Sequence, residues 1–181
     1  IMTHGDDSGL VLPPAIAPIQ VMIIPIAQHK PGVLDKANEL LLKLKNICRV
    51  KMDDSDQSPG WKFAEYEMKR VPLRLEIGPK DIENNQCVVV RRDNREKIVV
   101  SLDELETRIP QLLQDVHDGM YQKALDRRES MTYEVTGGLD DIIKAASTRP
   151  GFIKAAWCGD VKCEEQLKDQ AGITSRCMPF D

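Results

Sequence analysis

Long apolar runs and a leader segment are both missing from this sequence. No apolar stretch in the 181 residues approaches the roughly 20 residues that a membrane-spanning helix needs. The first residues, "IMTHGDD", contain no basic region leading into an apolar stretch, so no secretory signal is expected. Because Ile1 is not an initiator residue, we expect the sequence to be a piece of a longer protein that does not enter a membrane.

A surplus of positive charge is also missing. The 25 Lys and Arg residues are outnumbered by 29 Asp and Glu residues, which gives a formal net charge of −4. A general polyanion binder would usually carry a basic face or a basic tail. Any contact with nucleic acid should therefore be local and specific rather than driven by bulk charge.

The sequence has neither a disulfide framework nor a glycine-rich phosphate loop. Its five cysteines are an odd number scattered along the chain, which predicts reduced thiols and a cytoplasmic location. A stand-alone nucleotide- or metabolite-binding α/β domain would need a glycine-rich turn from strand to helix. The segment "IPIAQHKPG" supplies no such turn, so this class of protein is disfavoured.

What the sequence does contain is an alternation of strand and helix patterns. The apolar run at 19–26 predicts a strand covered on both faces, and apolar residues at helical spacing predict a helix over 33–45. Residues 73–77 alternate, so that Arg74 and Glu76 are expected to face outward. Two further strands flank "DNRE" as a hairpin. The order predicts an α/β domain of about a hundred residues, with a region of different character after it.

One stretch, "SPGWKFAEYEMKRVPLRLEIGPKD" at 58–81, combines aromatic rings with many charges. For any single residue the better interpretation is the solvent face of a strand, with Trp61 and Phe63 in the core. For the whole group, a site for single-stranded RNA is an alternative, because the basic hairpin "RRDNREK" at 91–97 can lie beside the same face. Such a site needs flat rings for unstacked bases, planar charged groups for base edges and a few cations near phosphates.

Four segments, taken together, resemble the C-terminal half of prolyl-tRNA synthetases of the archaeal and eukaryotic-like type. They are "HGDDSGLVLPPAIAPIQV", "DQSPGWKFAEYEMKRVPLRLEIGPKD", "QCVVVRRDNREK" and "CGDVKCEEQLKDQAGITSRCMPF", in that order. The resemblance implies three parts: the tail of a class II catalytic domain with a linker (1–18), a mixed-sheet anticodon-binding domain (19–118) and a small α/β C-terminal domain of the type that often holds zinc (119–181).

The resemblance also implies a partner, tRNA-Pro, and a set of residues that bind its anticodon. By similarity these residues are Phe63, Glu67, Arg74, Lys80, Asp81 and Lys97. Phe63 is the implied stacking ring, and Glu67 and Lys97 are the implied readers of two guanines. A carboxylate can accept hydrogen bonds from guanine N1–H and N2–H, and a Lys can donate to O6 and N7.

The sequence departs from the resembled family at two positions where glycine is usual. Arg70 precedes "VP", and Arg95 stands in the hairpin. Glycine permits positive φ and arginine does so poorly, so the hairpin tip is expected to differ from that of its relatives. Both substitutions add positive charge beside the implied site, which favours RNA.

Cys158 and Cys163, in "CGDVKC", are the candidate metal ligands. Their spacing lies within the range seen in zinc knuckles, although two thiols do not complete a tetrahedral site. Alternatively they are small buried apolar residues, as free cysteines often are. The resemblance implies half of a zinc site whose other pair follows "RCMPF", so with Asp181 as the last residue we expect an incomplete or empty site.

No catalytic residue is predicted. His4, Asp6 and Asp7 form a possible acid–base or metal cluster, but a turn in which the two carboxylates cap local amides is the simpler interpretation. The resemblance implies that ATP and Mg²⁺ bind to a catalytic domain upstream, in a homodimeric enzyme that joins proline to its tRNA. The piece alone is expected to be inactive.

The rival interpretation is a stand-alone accessory or interaction protein that uses an anticodon-binding-like fold. The segment "HGDDSGLVLPP", which resembles the end of a catalytic domain, argues against it.

Overall fold

The computed structural model describes residues 3–7 and 9–178 and divides into two compact units, Ile1–Ala124 and Leu125–Asp181. The outer ends of the first and third predicted domains, with Ile1 and Asp181, lie outside the described residues. The boundaries predicted at residues 18 and 118 stay predictions. Within the described ranges, no helix is long and apolar enough to cross a bilayer.

The first unit is built on a five-stranded mixed sheet. A short antiparallel hairpin, β1 (Gly5–Asp6) and β2 (Gly9–Leu10), precedes the sheet. The strands of the sheet are β3 (Val21–Pro25), β4 (Val50–Met52), β5 (Leu73–Ile77), β6 (Gln86–Arg91) and β7 (Lys97–Ser101). Their spatial order is β4-β3-β5-β6-β7; β4, β3 and β5 are parallel to one another, and β6 is antiparallel to both of its neighbours, β5 and β7. The predicted mixed α/β fold is confirmed.

Helices cover both faces of this sheet for a topological reason. The helices that follow its strands are α1 (Val33–Leu44), α2 (Pro59–Met68), α3 (Pro79–Glu83) and α4 (Leu105–Ser130). Because β4 and β5 lie on opposite sides of β3, two right-handed crossovers place α1 and α2 on opposite faces. Accordingly, Ala37 of α1 packs in the larger core with Ile23, whereas Phe63 of α2 packs against Met22 and Ile24 on the other face.

The alternation of β5 was predicted correctly, but its consequence for Arg74 was not. Leu73, Leu75 and Ile77 are buried in the larger core, so Arg74 and Glu76 point to the face that carries α2. Arg74 was expected to face solvent, yet it is only 8% exposed. The expectation was wrong because α2 lies over this part of the sheet.

The second unit is a small α/β arrangement. It contains β8 (Thr132–Val135), α5 (Leu139–Thr148), β9 (Phe152–Ala155) and α6 (Val161–Ala171). The two strands are parallel, which requires a crossover, and α5 supplies it. The hydroxyl of Tyr133 donates to the carbonyls of Ala145 and Arg149 and fixes the end of α5 to β8. None of the residues from 125 to 178 is buried, so this unit has no hydrophobic core among its described residues.

Candidate nucleic-acid interface

Helix α2 presents an aromatic ring and a carboxylate on one side. Ser58 is its N-cap, with the hydroxyl accepting a hydrogen bond from the amide of Trp61, and Pro59 occupies the start of the helix, where no N–H donor is needed. Phe63 and Glu67 stand one turn apart and therefore lie next to each other on the helix surface. Both side chains reach β5.

Arg74 of β5 holds this ring and this carboxylate together. Its guanidinium carbon lies 4.0 Å from the centroid of the Phe63 ring. Its Nη1 donates to Glu67 Oε1 at 3.1 Å, and its Nε donates to Glu76 Oε1 at 2.9 Å. We refer to Phe63, Glu67, Arg74 and Glu76 as the Arg74 cluster.

The Arg74 cluster is shielded on one side and open on the other. The side chains of Arg74 and Glu76 are 10% and 15% exposed, while that of Glu67 is 36% exposed. A buried cation is tolerated when carboxylates match its charge and accept its donors, as two do here. The second oxygen of Glu67 is therefore the part of the cluster best placed to accept a donor from a ligand.

The register of the sheet places Lys97 on the same face as Arg74. Arg74 pairs with Val90 of β6, and Val90 pairs with Lys97 of β7. Neighbouring strands are about 4.8 Å apart, so the backbones at Arg74 and Lys97 are separated by roughly 10 Å. Lys97 is exposed. The Arg74 cluster and this ammonium group therefore belong to the same sheet face, with Val90 on the strand between them.

A cleft continues this face between the end of α2 and strand β6. Its lining residues are Tyr66, Glu67, Val71, Arg74, Val90, Arg91, Arg92 and Arg95. A hydrogen bond from Arg91 to Asp93 raises the pKa of the Arg91 guanidinium despite its partial burial. The Arg91 guanidinium also donates to the carbonyl of Asp115 in α4, on the opposite face of the sheet, and that of Arg92 is paired with a carboxylate of Asp6. Glu67 is the carboxylate in the lining of the cleft.

The family model described as "Anticodon binding domain" matches residues 20–112, which is more than half of the chain. The chain belongs to the anticodon-binding domain family. A second model, described as "Prolyl-tRNA synthetase, C-terminal", matches residues 139–181.

Similar proteins agree with both matches. The chain is 64% identical over its whole length to a proline–tRNA ligase of Clostridium novyi and 59% identical to one of Ruminiclostridium cellulolyticum. It is 40% identical, with a TM-score of 0.92, to the crystal structure of prolyl-tRNA synthetase from Cryptosporidium parvum complexed with halofuginone and AMPPNP, and covers 39% of that chain. The chain spans about 38% of the length of the curated relatives it matches. The predicted family resemblance is confirmed, and the chain corresponds to the anticodon-binding and C-terminal domains of proline–tRNA ligases.

Two predicted residues of the anticodon-binding domain lie apart from both the Arg74 cluster and Lys97. Lys80 and Asp81 belong to α3, which follows β5 directly. Asp81 Oδ2 accepts the amide N–H of Gly78 at 2.9 Å and thereby caps α3, whereas Lys80 is exposed. The structure thus brings Phe63, Glu67 and Arg74 together and sets Lys97 on the same sheet face. Lys80 and Asp81 stand on a separate helix, and their role stays a prediction.

A buried polar network beneath α2 was missed by the sequence interpretation. Lys62 is only 2% exposed, and its ammonium group donates to the carbonyl of Asp53 at 2.9 Å. The hydroxyl of Tyr66 donates to Asp53 Oδ2 at 2.9 Å. Burial by itself would raise the pKa of Asp53, but hydrogen bonds from Ser55 and Tyr66 and the charge of Lys62 outweigh it and hold this pKa below its ordinary value. The network fixes the loop after β4 to α2.

Asp6 has a long-range partner that the prediction of a local amide cap did not include. Its two carboxylate oxygens accept from Arg92 Nη1 and Nη2 at 2.7 and 2.8 Å. This bidentate pair attaches the β1–β2 hairpin to the loop after β6. A pairing across 86 residues leaves no local signal in the sequence.

The two candidate metal ligands of the second unit are neighbours in space. Cys158 Sγ and Cys163 Sγ are 3.1 Å apart, and neither residue is buried. The interpretation as buried apolar residues is therefore wrong. The pKa of Cys158 is lowered, chiefly by a hydrogen bond from the backbone amide of Asp160. The pKa of Cys163 is raised, chiefly by its hydrogen bond with Cys158. Among residues 3–7 and 9–178, no group of three or more His, Cys, Asp or Glu side chains stands close enough to hold a metal.

Proposed function

We propose that this anticodon-binding domain reads the anticodon of tRNA-Pro as part of a proline–tRNA ligase. The observation that supports the proposal is the Arg74 cluster, in which a ring, a guanidinium group and a carboxylate meet at an open sheet face. A base can stack on such a flat surface, and stacking contributes about 1–3 kcal/mol per base. The free oxygen of Glu67 accepts from guanine N1–H or N2–H, and Lys97 donates to O6 or N7 of a guanine.

The test is a binding titration of the chain with an anticodon stem-loop RNA of tRNA-Pro. One RNA carries the natural loop, and two others carry inosine in place of one guanine, which removes only the N2 amino group. The wild-type chain should bind one inosine RNA roughly 5- to 150-fold more weakly, since a good base contact is worth about 1–3 kcal/mol. Glu67→Gln should weaken binding of the natural RNA and abolish the difference between guanine and inosine.

The matched control is Glu106→Gln in α4, which removes an exposed carboxylate from the opposite face of the sheet. It should leave both affinities unchanged. If Glu67→Gln binds the natural RNA as tightly as the wild type does, Glu67 does not read the anticodon. If the chain does not distinguish tRNA-Pro loops from unrelated loops, the proposed function is wrong.

The activity of the whole enzyme is part of the same proposal. The ligases that the chain matches are about two and a half times as long, so we assign ATP, Mg²⁺ and proline binding to a separate catalytic domain, in a cytoplasmic homodimer. Proline-dependent charging of tRNA-Pro should require that domain. Assaying the 181-residue chain and a complete ligase side by side tests this, and charging by the chain alone would overturn it.

We also propose that Cys158 and Cys163 are two of the four ligands of a structural zinc ion. Two sulfurs bound to one tetrahedral zinc stand about 3.8 Å apart, so a small opening of the observed 3.1 Å separation fits the metal. A bound zinc would supply a fixed crosslink, which small units without a buried core commonly need. Zinc analysis of the chain should find less than one tightly held ion, and a complete ligase should lose its zinc on Cys158→Ser.

A further inference from the structure

The sheet face that carries the Arg74 cluster is exposed at its β7 edge. Cys87, Val89 and Val100 of the β6–β7 hairpin are buried in the larger core on the opposite face. Strand alternation therefore turns Val88 and Val99 to the face of α2. Val99 is 61% exposed, which means that α2 does not extend across β7.

Val88 and Val99 form one apolar surface. They are directly opposite each other in the register of β6 and β7, so their Cβ atoms lie about 4.5–5.5 Å apart. On the other side, Val88 pairs with Glu76, a member of the Arg74 cluster. We call Val88 and Val99 the valine shelf. The shelf is continuous with the Arg74 cluster along one row of the sheet.

Positive charge borders the valine shelf. Lys97 precedes Val99 by two residues on the same strand and therefore lies on the same face. Arg95, at the tip of the hairpin, lines the neighbouring cleft. An apolar patch next to cations matches a nucleotide, whose base has apolar faces and whose phosphate is an anion.

We propose that the valine shelf supports one unstacked base of the bound RNA, next to the base read by Glu67. The proposal rests on the proposed function and adds a second base subsite to it. The contact is with the face of the base and not with its edge, so the shelf contributes affinity without selecting among the four bases. Lys97 then lies beside the phosphate or the edge of the same nucleotide.

Binding of the anticodon stem-loop RNA to three variants tests the shelf. Val99→Asp places a carboxylate where the base would lie and should weaken binding at least tenfold. Val99→Thr keeps the β-branched shape and should weaken binding two- to fivefold. The matched control, Leu42→Asp, changes an aliphatic residue that is 67% exposed on α1, which packs on the other face, and should have less than a twofold effect.

Abasic substitutions identify the base. Replacing loop nucleotides one at a time by abasic sites should reveal one position at which loss of the base weakens wild-type binding but does not weaken binding by Val99→Asp any further. The salt dependence of binding distinguishes the apolar shelf from the neighbouring charge of Lys97. Lys97→Ala should reduce the slope of the logarithm of the RNA-binding constant against the logarithm of the salt concentration by about 0.7. Val99→Thr should leave this slope unchanged.

The proposal is overturned if Val99→Asp binds RNA like the wild type. If Glu67→Gln then binds weakly, the anticodon function stands without the shelf. If Glu67→Gln also binds like the wild type, Glu67 is not a reader either, and discrimination between tRNA-Pro loops and unrelated loops decides the proposed function. Light scattering measures the mass of the particle in solution. If this mass differs between Val99→Asp and the wild type while RNA affinity is intact, the shelf contacts a second copy of the chain instead.

Discussion

Arg74 and Phe63 form a stacked pair in which a guanidinium carbon lies 4.0 Å from the centre of an aromatic ring. The pair is more than a cation–π contact, because Glu67 and Glu76 take two of the guanidinium donors at the same time. The guanidinium group of Arg74 is therefore fixed by the Phe63 ring against its flat face and by two carboxylates at its edge. A fixed guanidinium group has little conformational entropy left to lose when a ligand binds.

Arg74→Lys should weaken both the fold and RNA binding. A lysine has one point of positive charge, so it cannot satisfy Glu67 and Glu76 in the same geometry or cover the ring of Phe63. Leaving Glu76 poorly paired should cost about 1–3 kcal/mol of unfolding free energy in urea. Phe63→Leu is the comparison: it removes the cation–π contact and retains apolar packing, so it should lower RNA affinity with a smaller loss of stability. Equal stability of Arg74→Lys and the wild type would contradict the cluster.

Lys62 should be the most important lysine for stability. Its ammonium group is bound to Asp53 and Gln28 under α2, so Lys62→Ala leaves the Asp53 carboxylate without its cation. Removing one partner of a buried pair costs about 3–5 kcal/mol. At the C-cap of the same helix, Lys69→Ala breaks an exposed pair with Glu65 and should cost at most about 0.5 kcal/mol. Urea unfolding of the two variants measures the difference, and similar losses would disprove the structural role of Lys62.

The same network predicts how stability depends on pH. The pKa of Asp53 is lowered in the folded protein, so the unfolded chain takes up the proton first as the pH falls. The stabilisation is complete above the unfolded pKa of about 3.9 and is lost as the pH falls through the folded value. The difference in unfolding free energy between the wild type and Asp53→Asn should therefore be constant near neutrality and shrink below about pH 4. A difference that stays constant into strong acid would rule out this contribution.

The sequence predicted which residues form helices and strands, and which side of a strand each residue takes, better than it predicted which sheet face a helix covers. Period-two alternation in β5 correctly separated Leu73, Leu75 and Ile77 from Arg74. Alternation states which side of a sheet a residue takes, but it carries no information on which helix lies over that side, so the burial of Arg74 was missed. The same limit applies to Lys62, because its partner Asp53 belongs to a loop that only the tertiary fold brings close.

The residues of the candidate site were also predicted only in part. The resemblance selected Phe63, Glu67 and Arg74, which the structure brings together, while Glu76 was assigned only to a strand face. Its spacing of two residues from Arg74 on an alternating strand was a usable signal, since such residues share a face. The resemblance also marked Arg70 and Arg95 as positions where glycine is usual, and both have positive φ, 66° and 63°.

Replacing Arg70 or Arg95 by glycine should stabilise the protein. The left-handed conformation costs an ordinary residue about 1–2 kcal/mol, and glycine adopts it freely, although glycine also gains entropy in the unfolded chain. A net gain of about 0.5–1 kcal/mol is expected for each variant. Arg108→Gly is the control, because Arg108 is inside α4 and the same change there should cost about 1 kcal/mol. Thermal unfolding distinguishes the cases, and destabilisation by Arg70→Gly and Arg95→Gly would show that these positions are not strained.

The cysteines should separate into two classes on alkylation. Burial raises the pKa of Cys48 to about 11 and that of Cys87 to about 12, so at pH 8 only about one thiol in 1,000 or 10,000 is a thiolate. Cys158 and Cys177 are exposed. Iodoacetamide followed by peptide mass spectrometry should therefore label Cys158 and Cys177 in the folded protein, and Cys48 and Cys87 only in urea. Labelling of Cys87 in the folded protein as fast as Cys177 would contradict its place in the core.

In a complete ligase, bound Zn²⁺ should slow labelling at Cys158 and leave the rate at Cys177 unchanged, because a sulfur bound to metal is a poor nucleophile. Equal rates at Cys158 in the complete ligase with and without Zn²⁺ would remove the case for its pairing with Cys163 as metal ligands.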